Sequence, residues 1–464
     1  MLLTSSAYFF FLVAVFLLYW PLARFRVVGL AVILFANYFF YAKWDVFYLA
    51  LIPISSTIDF LLGGMIHRAK DPARRRLLVT LSVLLNLGLL VAFKYMPFFL
   101  ENWAKLAGTD APKWNWTFSL GISFYAFQSL TYTIDIYRKD AKPTTSLLAY
   151  LSAVSFFPTT LAGPITRVST LIPQLEKTTR TLDAADGGRA LFLIGLGLMK
   201  KMLIADYLAE NLVNRVFDFP ALYSGAEVLT GVYAFAVQLY YDFSGYSDVA
   251  IGSALLLGLK LPPNFNAPYS ATNIADFWRR WHISLSNWLR DYLYFSLPGQ
   301  RGKYWPYINL IVTMAIGGFW HGPSWTFLIW GLLHGVALAV VRLFDVRRGK
   351  ANHKLPTIVR TFFTVQYVCF AWIFFRSPSL DAGWKILRRI ASLTVSFDNV
   401  SAGLWIVLAI AILGHYIKKE WFDWTQTGFG RVPFYVQAMA LMLLAIAIQY
   451  VAATGSAPFI YTKF

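Results

Sequence analysis

Long apolar runs separated by short polar turns are the dominant pattern along this chain. Runs of roughly 18 to 25 residues recur throughout, which is the length that a helix needs to cross a bilayer. The candidate spans lie near residues 5–20, 27–42, 46–66, 77–100, 118–136, 189–208, 226–258, 305–320, 324–342, 357–375, 403–417 and 434–453. Because the runs are continuously apolar rather than alternating, they exclude an outer-membrane barrel. The pattern predicts an all-α polytopic membrane protein with about eleven or twelve membrane-embedded helices.

The segment 138–188 departs from this pattern because it is polar and interrupted by prolines. It nevertheless contains an apolar stretch from Leu147 to Gly163, followed by Pro164. Irregular backbone within a membrane is tolerated where it is buried in protein or lines a cavity, so a re-entrant or interfacial segment is one interpretation. The other is a cytoplasmic loop with one amphipathic helix, and the sequence leaves both open.

The composition agrees with a membrane protein and excludes several other classes of protein. Apolar residues make up 58% of the 464 residues and charged residues 14%, whereas soluble proteins carry about 25% charged residues. A soluble enzyme, a disordered protein and a coiled coil are therefore excluded. The net charge of +18 lies mostly in short loops, where it sets orientation, and we expect no nucleic-acid partner. The single cysteine, Cys369, lies inside an apolar run and is interpreted as a small hydrophobic residue rather than a nucleophile.

Basic loops predict the orientation of the chain. Two pairs of basic loops are each separated by two spans, so both members of a pair lie on the same side: Arg24–Arg26 with 68–76, and Arg347–Lys350 with Lys418–Lys419. Cationic loops are retained in the cytoplasm, which places the N-terminus and the loop Glu101–Lys113 outside. The stretch Ala7–Trp20 has no basic region before it, so we expect a first membrane helix rather than a cleaved signal.

Two stretches concentrate polar and ionisable residues on an aromatic background. The first runs from Tyr240 to Asp248, resumes at Pro262–Tyr269 and continues from Asp276 to Ser286, and the second is Gly317–Trp325. Polar side chains at membrane depth are costly and usually serve function. The candidates for contacting substrate are Tyr240, Asp242, Ser244, Asn264, Asn266, Asp276, Trp278, Arg279, Arg280, Arg290 and Trp320. We expect one domain over 1–464, with a motif-bearing core near 118–345 and C-terminal helices near 357–453.

The spacing around His282 predicts an amphipathic helix. Apolar residues follow a 3-4-3-4-3 spacing at Trp278, Trp281, Leu285, Trp288, Tyr292 and Phe295, which is typical of one continuous helix. Arg279, His282 and Ser286 would then share the adjacent face. This helix either lines a cavity with His282 at its edge or lies at the membrane surface with a solvated histidine. The spacing leaves both open.

His321 is the stronger candidate for catalysis. It stands between Trp320 and Gly322, at the predicted entrance of an apolar helix, and a titratable side chain at membrane depth indicates a functional site. An imidazole can take a proton from a hydroxyl near neutral pH. We favour this role over a histidine bonded to a carbonyl for packing, and we favour packing for His334.

Other chemistries lack their motifs or their ligands. The chain has no His-Glu-x-x-His, no Gly-rich phosphate loop ending in Lys-Ser/Thr and no Gly-x-Ser-x-Gly, which are the signatures of common hydrolases and nucleotide enzymes. A zinc site on His282 and His321 would need a third ligand, so we expect no metal. Asp242, Asp248 and Asp276 would be proton-relay carboxylates if the chain were a transporter, which is the main rival class.

The two polar stretches resemble the membrane-bound O-acyltransferase (MBOAT) family, and within it the bacterial branch of alginate O-acetyltransferases and of exopolysaccharide and cell-wall acetylases. The resemblance is carried by Asp242–Asp248, Asn264–Tyr269, Asp276–Ser286, Arg290–Tyr294 and Phe319–Gly322, together with Phe39–Trp44 and Phe370–Arg376. It covers nearly the whole chain and is more specific for the family than for the substrate.

This resemblance implies a ring of helices around a central tunnel, with re-entrant or interfacial helices. It implies transfer of an acetyl group from cytoplasmic acetyl-CoA, a substrate and not a bound cofactor, toward a hydroxyl reached from outside. His321 would be the general base, and His282, with Arg279 or backbone donors, would orient the acyl group or stabilise the oxyanion. The implied partners are the bilayer of the bacterial cytoplasmic membrane, an extracytoplasmic SGNH-type acetyltransferase and the polysaccharide synthesis machinery.

The resemblance leaves the substrate open. The chain has the sequence Phe295–Ser296–Leu297–Pro298–Gly299–Gln300–Arg301–Gly302 where alginate-type members carry a Gly-Gly-Asn-Arg-like turn. Alginate, cellulose, another exopolysaccharide and peptidoglycan are all candidates. D-alanyl transfer from a carrier protein to teichoic acid is the alternative within the family. A transporter and a scaffold for the polysaccharide synthase are the alternatives outside it.

Overall fold

Helices make up the secondary structure of the described chain. A computed structural model describes residues 2–42, 49–116, 121–177, 181–299, 302–348 and 355–451. Within these ranges the chain forms helices, turns and loops, and no β-strand, as the apolar pattern predicts. Contacts separate the chain into two compact units, Met1–Ile194 with Val249–Pro262, and Gly195–Asp248 with Pro263–Phe464. The single functional domain over 1–464, with its core at 118–345, stays a prediction.

The first unit is built mainly from the N-terminal helices. They are α1 (Ser6–Leu22), α2 (Arg26–Ala42), α3 (Leu51–Arg68), α4 (Pro72–Ala107), α5 (Ile122–Arg138), α6 (Leu147–Val154), α7 (Phe157–Thr160) and α8 (Val168–Glu176), with the start of α9 (Ala184–Leu198) and the end of α10 (Gly225–Leu256). The carboxylate of Asp71 accepts hydrogen bonds from the first N–H groups of α4, and Pro72 follows it. An aspartate cap followed by proline stabilises a helix start. The helix contains one π-helical turn, at Val91–Tyr95.

A buried polar network joins three helices of this unit. Asp59 on α3 accepts hydrogen bonds from Ser82 and Asn86 on α4, at 2.6 and 2.8 Å, and from Ser129 on α5, at 2.6 Å. All four side chains are 0% exposed. Hydrogen bonds between membrane helices hold them together, so this network fixes α3, α4 and α5 against one another.

The segment between α5 and α9 is folded into the first unit. Tyr150 and Phe157 of its short helices, and Phe156 between them, are 0 to 1% exposed. Asn37 on α2 donates to the carbonyl of Ser152 at 3.0 Å and accepts from the N–H of Phe157 at 2.9 Å. An ordinary loop with one amphipathic helix does not describe this segment. Buried irregular backbone is what a re-entrant segment requires, and the structure favours that interpretation.

The second unit holds the end of α9, most of α10 and the remaining helices. They are α11 (Ile274–Arg280), α12 (Ile283–Trp288), α13 (Trp305–His321), α14 (Trp325–Arg348), α15 (Thr357–Arg376), α16 (Leu380–Ala391), α17 (Ala402–His415), α18 (Lys419–Arg431) and α19 (Phe434–Val451). After α9 the chain stays helical as far as Asp218, with π-helical turns at Met199–Ala205 and Ala209–Val213. This helix therefore continues beyond the predicted span at 189–208.

Glycines bring α13 and α14 close together. A Cβ atom added to Gly331 would lie 2.3 Å from the carbonyl oxygen of Met314, and one added to Gly318 would lie 2.4 Å from the carbonyl oxygen of Phe327. Small residues allow membrane helices to approach this closely. The end of α13, where His321 lies, is consequently packed against α14.

Several described helices have the length and composition of membrane spans. Four of them are long and apolar enough to cross a membrane, namely α4, the part Trp325–Val346 of α14, α15 and α19. The bent pair α17 and α18 makes a fifth if it is one span, and α1 and α2 are apolar but shorter. The total of eleven or twelve embedded helices and the ring around a tunnel stay predictions.

Some predicted features lie outside the described residues. They are the motif positions Lys43–Trp44, the starts of the spans at 46 and 118, the turn positions 300–301, the basic positions 349–350 and the end of the last span at 452–453.

Candidate active site

Two lysines form ion pairs with the aspartates of the polar run Tyr240–Asp248, which lies on α10. Lys201 Nζ lies 2.6 Å from an oxygen of Asp206 and 2.9 Å from an oxygen of Asp242, and Lys200 Nζ lies 2.7 Å from an oxygen of Asp248. The side chains of Lys201, Asp206 and Asp242 are 3%, 6% and 2% exposed. Buried charges of this kind require partners. These pairs tie the helical segment after α9 to α10.

The turn at Asn264 holds the segment that carries His282. The carbonyl of Asn264 accepts from the N–H of Ile283 at 2.9 Å, and the N–H of Asn266 donates to the carbonyl of Arg280 at 2.9 Å. The side-chain oxygen of Asn264 also accepts from the hydroxyl of Ser284 at 2.9 Å. The motif around Asn264 therefore runs beside residues 280–284 and fixes their backbone.

Asn264 also determines which nitrogen of His282 carries the hydrogen. Its Oδ1 accepts from the backbone N–H of Ser284 at 3.3 Å, and its Nδ2 donates to the hydroxyl of Ser247 at 3.2 Å. The atom that lies 3.1 Å from His282 Nδ1 is therefore an acceptor, so the neutral ring is protonated on Nδ1 and has its lone pair on Nε2. This Nε2 is buried and has no hydrogen-bond partner within the described residues.

His282 interrupts the helix that the spacing predicts. Its backbone is left-handed, with φ 42° and ψ 54°, and it separates α11 from α12. The predicted continuous helix over 278–295 is wrong because bonds to the turn at Asn264 on both sides of the break hold Trp281 and His282 out of helical conformation. A left-handed residue other than glycine costs about 1–3 kcal/mol, and such residues cluster at functional sites. His282 is 1% exposed, so the solvated surface histidine is also wrong.

His321 lies at the end of a helix and not at the entrance of one. It is the last residue of α13, and Gly322 after it is extended, with φ −171° and ψ 154°. Pro323 disfavours a helical residue before it and cannot donate a backbone hydrogen bond. The chain therefore leaves the helix at His321, and α14 begins only at Trp325. His321 is 5% exposed.

An aromatic cluster of Trp281, Trp330 and Trp372 connects the surroundings of the two histidines. The rings of His321 and Trp330 lie 5.2 Å apart, and those of Trp330 and Trp372 are stacked at 5.5 Å. Trp372 also packs 5.1 Å from Trp281, the residue before His282. All three tryptophans are 1 to 2% exposed. The cluster thus contacts His321 directly and includes the residue that precedes His282 in the chain.

His334 is enclosed by the same cluster. The indole N–H of Trp278 donates to its Nδ1 at 3.3 Å, and its ring lies 5.0 Å from Trp330 and stacks 6.1 Å from Phe277. The side chain is 0% exposed. These contacts fit the packing role that we favour for His334, which stays a prediction.

Several candidate residues from the second part of the motif lie at the surface of the unit. Asp276 pairs with Arg280 at 3.0 Å and with Arg279 at 3.4 Å, and Arg290 pairs with Asp291 at 2.7 Å. The side chains of Arg279 and Arg290 are 67% and 56% exposed. These two arginines are therefore exposed and paired with nearby aspartates, whereas His282 is buried.

The remaining candidates are largely enclosed. Ser244 on α10 and Trp320 on α13 are 2% and 4% exposed, and Trp320 packs edge-on against His321 at 5.0 Å. Tyr240 packs edge-on against Phe265 at 5.7 Å. Trp320 is thus in contact with His321, and Tyr240 with a residue of the Asn264 motif.

Comparison with known proteins connects this site to a family. The family model of MBOAT, the membrane-bound O-acyltransferase family, matches residues 137–379. A peptidoglycan O-acetyltransferase of Helicobacter pylori is 34% identical over 92% of this chain and 90% of its own length. A probable alginate O-acetylase AlgI of Azotobacter vinelandii is 38% identical over 84% of this chain and 78% of its own length. A teichoic acid D-alanyltransferase of Bacillus subtilis is 28% identical over 60% of this chain and 75% of its own length.

The chain belongs to the MBOAT family. It is a polytopic membrane O-acyltransferase. This confirms the family, the helical membrane fold and the enzyme class that the sequence indicates. The matched residues 137–379 include His282 and His321.

Sequence reasoning missed some residues that shape the site of this MBOAT protein. Lys200 and Lys201 were not singled out, although two adjacent lysines inside the apolar run 189–208 are an unusual signal at membrane depth. Ser284 and Trp372 lie within the motif stretches Asp276–Ser286 and Phe370–Arg376, but they are not among the predicted site residues. Nothing in the spacing alone gives either of them a role at the site.

Proposed function

We propose that this MBOAT protein transfers an acetyl group from cytoplasmic acetyl-CoA toward hydroxyls of an extracytoplasmic polysaccharide. The relatives named as O-acetyltransferase or O-acetylase align with 84 to 92% of the chain at 34 to 38% identity, and the D-alanyltransferase with 60% at 28%. This difference favours acetyl over D-alanyl transfer. The membrane is the bacterial cytoplasmic membrane, and the basic loops support an N-terminus outside the cell.

The observation that carries the proposal is the buried, strained His282 held by Asn264 beside the aromatic cluster that packs His321. In the reaction, His321 takes the proton of the hydroxyl as its oxygen attacks the thioester carbonyl. The tetrahedral intermediate then collapses, the C–S bond breaks, and the thiolate recovers the proton. The aromatic cluster keeps water away from the thioester, which would otherwise be hydrolysed.

His282 has a different part in this proposal. Its lone pair at Nε2 accepts a hydrogen bond from a hydroxyl or amide of the substrate and orients it. A neutral Nε2 has no hydrogen to give to an oxyanion, so backbone N–H groups stabilise that charge instead. The exposure of Arg279 also argues against its acting on the oxyanion.

We also propose that an extracytoplasmic SGNH-type acetyltransferase completes the transfer, together with the polysaccharide synthesis machinery. The support is the resemblance to a branch in which the membrane protein hands the acetyl group to such a partner. Alginate, cellulose, another exopolysaccharide and peptidoglycan are the candidate glycans.

The test is the acetyl content of secreted and wall glycans in cells that carry the wild type, His321→Ala, His282→Ala or His334→Phe. Loss of a general base lowers the rate by about 10²- to 10⁴-fold, so acetylation should disappear in His321→Ala at matched membrane abundance. His334→Phe is the matched control, because it replaces another buried histidine of the same cluster and should retain most of the acetylation.

Each outcome of this test has a direct meaning. The glycan that loses acetyl groups in His321→Ala identifies the substrate. If every glycan keeps its acetyl groups while D-alanine esters of teichoic acid disappear, the D-alanyl alternative replaces the proposal. If neither ester changes, the protein is not the acyltransferase for these polymers.

A further inference from the structure

An apolar cavity lies between α10, α15 and α17, apart from the two histidines of the candidate active site. Its volume is about 480 Å³, which is within the range of small-molecule sites. The side chains that line it are largely apolar or aromatic, and they include Val237, Tyr240, Val365, Leu408 and Ala411. A ligand in this cavity would therefore be mainly hydrocarbon.

His415 lines the cavity and carries a buried hydrogen-bond donor. Its Nε2 accepts from the backbone N–H of Tyr269 at 3.1 Å, so the neutral ring carries its hydrogen on Nδ1. Nδ1 is buried without a hydrogen-bond partner among the residues that the structure describes, and His415 is 7% exposed and lines the cavity. A buried donor without an acceptor is costly, so a ligand oxygen at this position would be stabilised.

The entrance of the cavity has the character of a lipid-facing surface. Trp405, Ile412 and Tyr416 line the cavity and are 43%, 48% and 52% exposed. They lie on or beside α17, which belongs to the bent pair that has the composition of a membrane span. Exposed apolar groups on such a helix face lipid tails in a bilayer.

The chain after His415 has the character of a membrane–water boundary. Lys418 and Lys419 are exposed, and the helix axis bends by 96° between α17 and α18. Trp421 and Trp424 of α18 are 71% and 77% exposed. Tryptophans and lysines are enriched at this boundary, and lysines attract anionic lipid phosphates.

We propose that the cavity binds one anionic phospholipid of the bilayer, with an acyl chain between α10, α15 and α17. Its ester carbonyl accepts a hydrogen bond from His415 Nδ1, and its phosphate lies near Lys418 and Lys419. The order of groups along the lipid, phosphate then ester then hydrocarbon, matches the order of lysines, histidine and apolar cavity along the protein. Neither His282 nor His321 lines the cavity, and Tyr240 is the one candidate substrate residue among the described side chains that line it.

The experiment uses the full chain in phosphatidylethanolamine vesicles that contain a phosphatidylglycerol with a photoreactive diazirine in one acyl chain. After irradiation, mass spectrometry should find adducts on peptides from residues 230–241, 365–369 and 405–416. This labelling should saturate as the probe concentration rises. Labelling of α19, which has no buried residue in its apolar window, should instead rise in proportion, because the exposed side of that helix meets bulk lipid.

Two pairs of variants separate a specific site from surface lipid. Ala409→Trp places a bulky ring at the cavity wall and should reduce the saturable labelling at least five-fold, whereas Ile410→Trp, on the neighbouring residue that is 57% exposed and outside the cavity, should not. His415→Phe should weaken the labelling. His415→Gln, whose amide has both a donor and an acceptor, should restore it.

Three results would overturn the proposal. The first is cavity labelling that rises in proportion to the probe, as on α19. The second is an equal effect of Ala409→Trp and Ile410→Trp. The third is complete displacement of the probe by acetyl-CoA, which would assign the cavity to the donor substrate. None of these results bears on the acetylation test, whose readout is the glycan.

Discussion

Asn264 is the side chain on which the geometry of His282 depends most directly. Its Oδ1 lies 3.1 Å from His282 Nδ1 and keeps the lone pair of the imidazole on Nε2. Replacing the partner that orients a functional imidazole typically costs about 10- to 100-fold in activity. We expect Asn264→Leu to lower glycan acetylation by this amount, whereas Asn264→Asp, which keeps an acceptor beside Nδ1, should retain most of it.

The control for this prediction is Ser247→Ala. It removes the bond at the far end of the Asn264 amide, from Nδ2 to Ser247, and leaves the bond to His282 in place, so acetylation should change little. If Asn264→Asp is as inactive as Asn264→Leu at matched abundance, Asn264 supports the fold and does not orient His282.

At the scale of single residues, the sequence identifies the side chains that can take part in catalysis better than it predicts their orientation. His282 and His321 stand out because titratable residues are rare in apolar surroundings, and the structure buries both. The orientation of His282 could not be predicted, because it depends on Asn264, which lies 18 positions earlier in the chain. No local spacing rule contains such a contact.

At the scale of helices, the buried group of Lys201, Asp206 and Asp242 connects the segment after α9 to α10. Removing one partner of a buried ion pair costs about 3–5 kcal/mol, because the other charge stays buried. Lys201→Met leaves two carboxylates close together and should strongly reduce the amount of folded protein in the membrane. Adding Asp206→Asn and Asp242→Asn to this variant should restore much of it, as quantified by immunoblotting of membranes and thermal unfolding in detergent.

Substitution of the same ion-pair residues also distinguishes the enzyme hypothesis from the rival transporter hypothesis. Asp242→Asn should act mainly through stability, so acetylation per folded molecule should stay far above that of His321→Ala. A proton-relay carboxylate would give the reverse order.

The positions of helices can be predicted from the sequence where nothing interrupts the helix. The prediction fails where side chains form hydrogen bonds that turn the backbone. The predicted span 226–258 is α10, Gly225–Leu256, because the helix continues through its polar run, whose Asp242 and Asp248 are paired with lysines. The 3-4-3-4-3 spacing around His282 is equally regular, yet the helix breaks there. Side-chain and backbone bonds to Asn264 outweigh helix propagation at His282, between α11 and α12.

For the whole molecule, the predicted orientation in the membrane can be tested with single-cysteine variants, because the chain has only one native cysteine. The single native cysteine, Cys369, is 3% exposed, so a Cys369→Ser background would suit labelling with a membrane-impermeant thiol reagent. Helix α4 has 36 residues, or about 54 Å at about 1.5 Å per residue, which exceeds a hydrocarbon core of about 30 Å. Its two ends must therefore lie on opposite sides if it crosses the membrane.

Ala73 lies in the first turn of α4, within the basic segment 68–76. We expect Ala73→Cys to be labelled only after the cells are opened. Thr109→Cys, just beyond the other end of α4, should be labelled in intact cells, because cationic residues retain the first end in the cytoplasm. Both positions are exposed, so failure to react reports the side of the membrane and not burial. Labelling of both from one side would show that α4 does not cross, and exchanged labelling would reverse the orientation. A reversed orientation would place the basic loops outside and the N-terminus in the cytoplasm, so the face of the protein that takes up the cytoplasmic donor would be the opposite one.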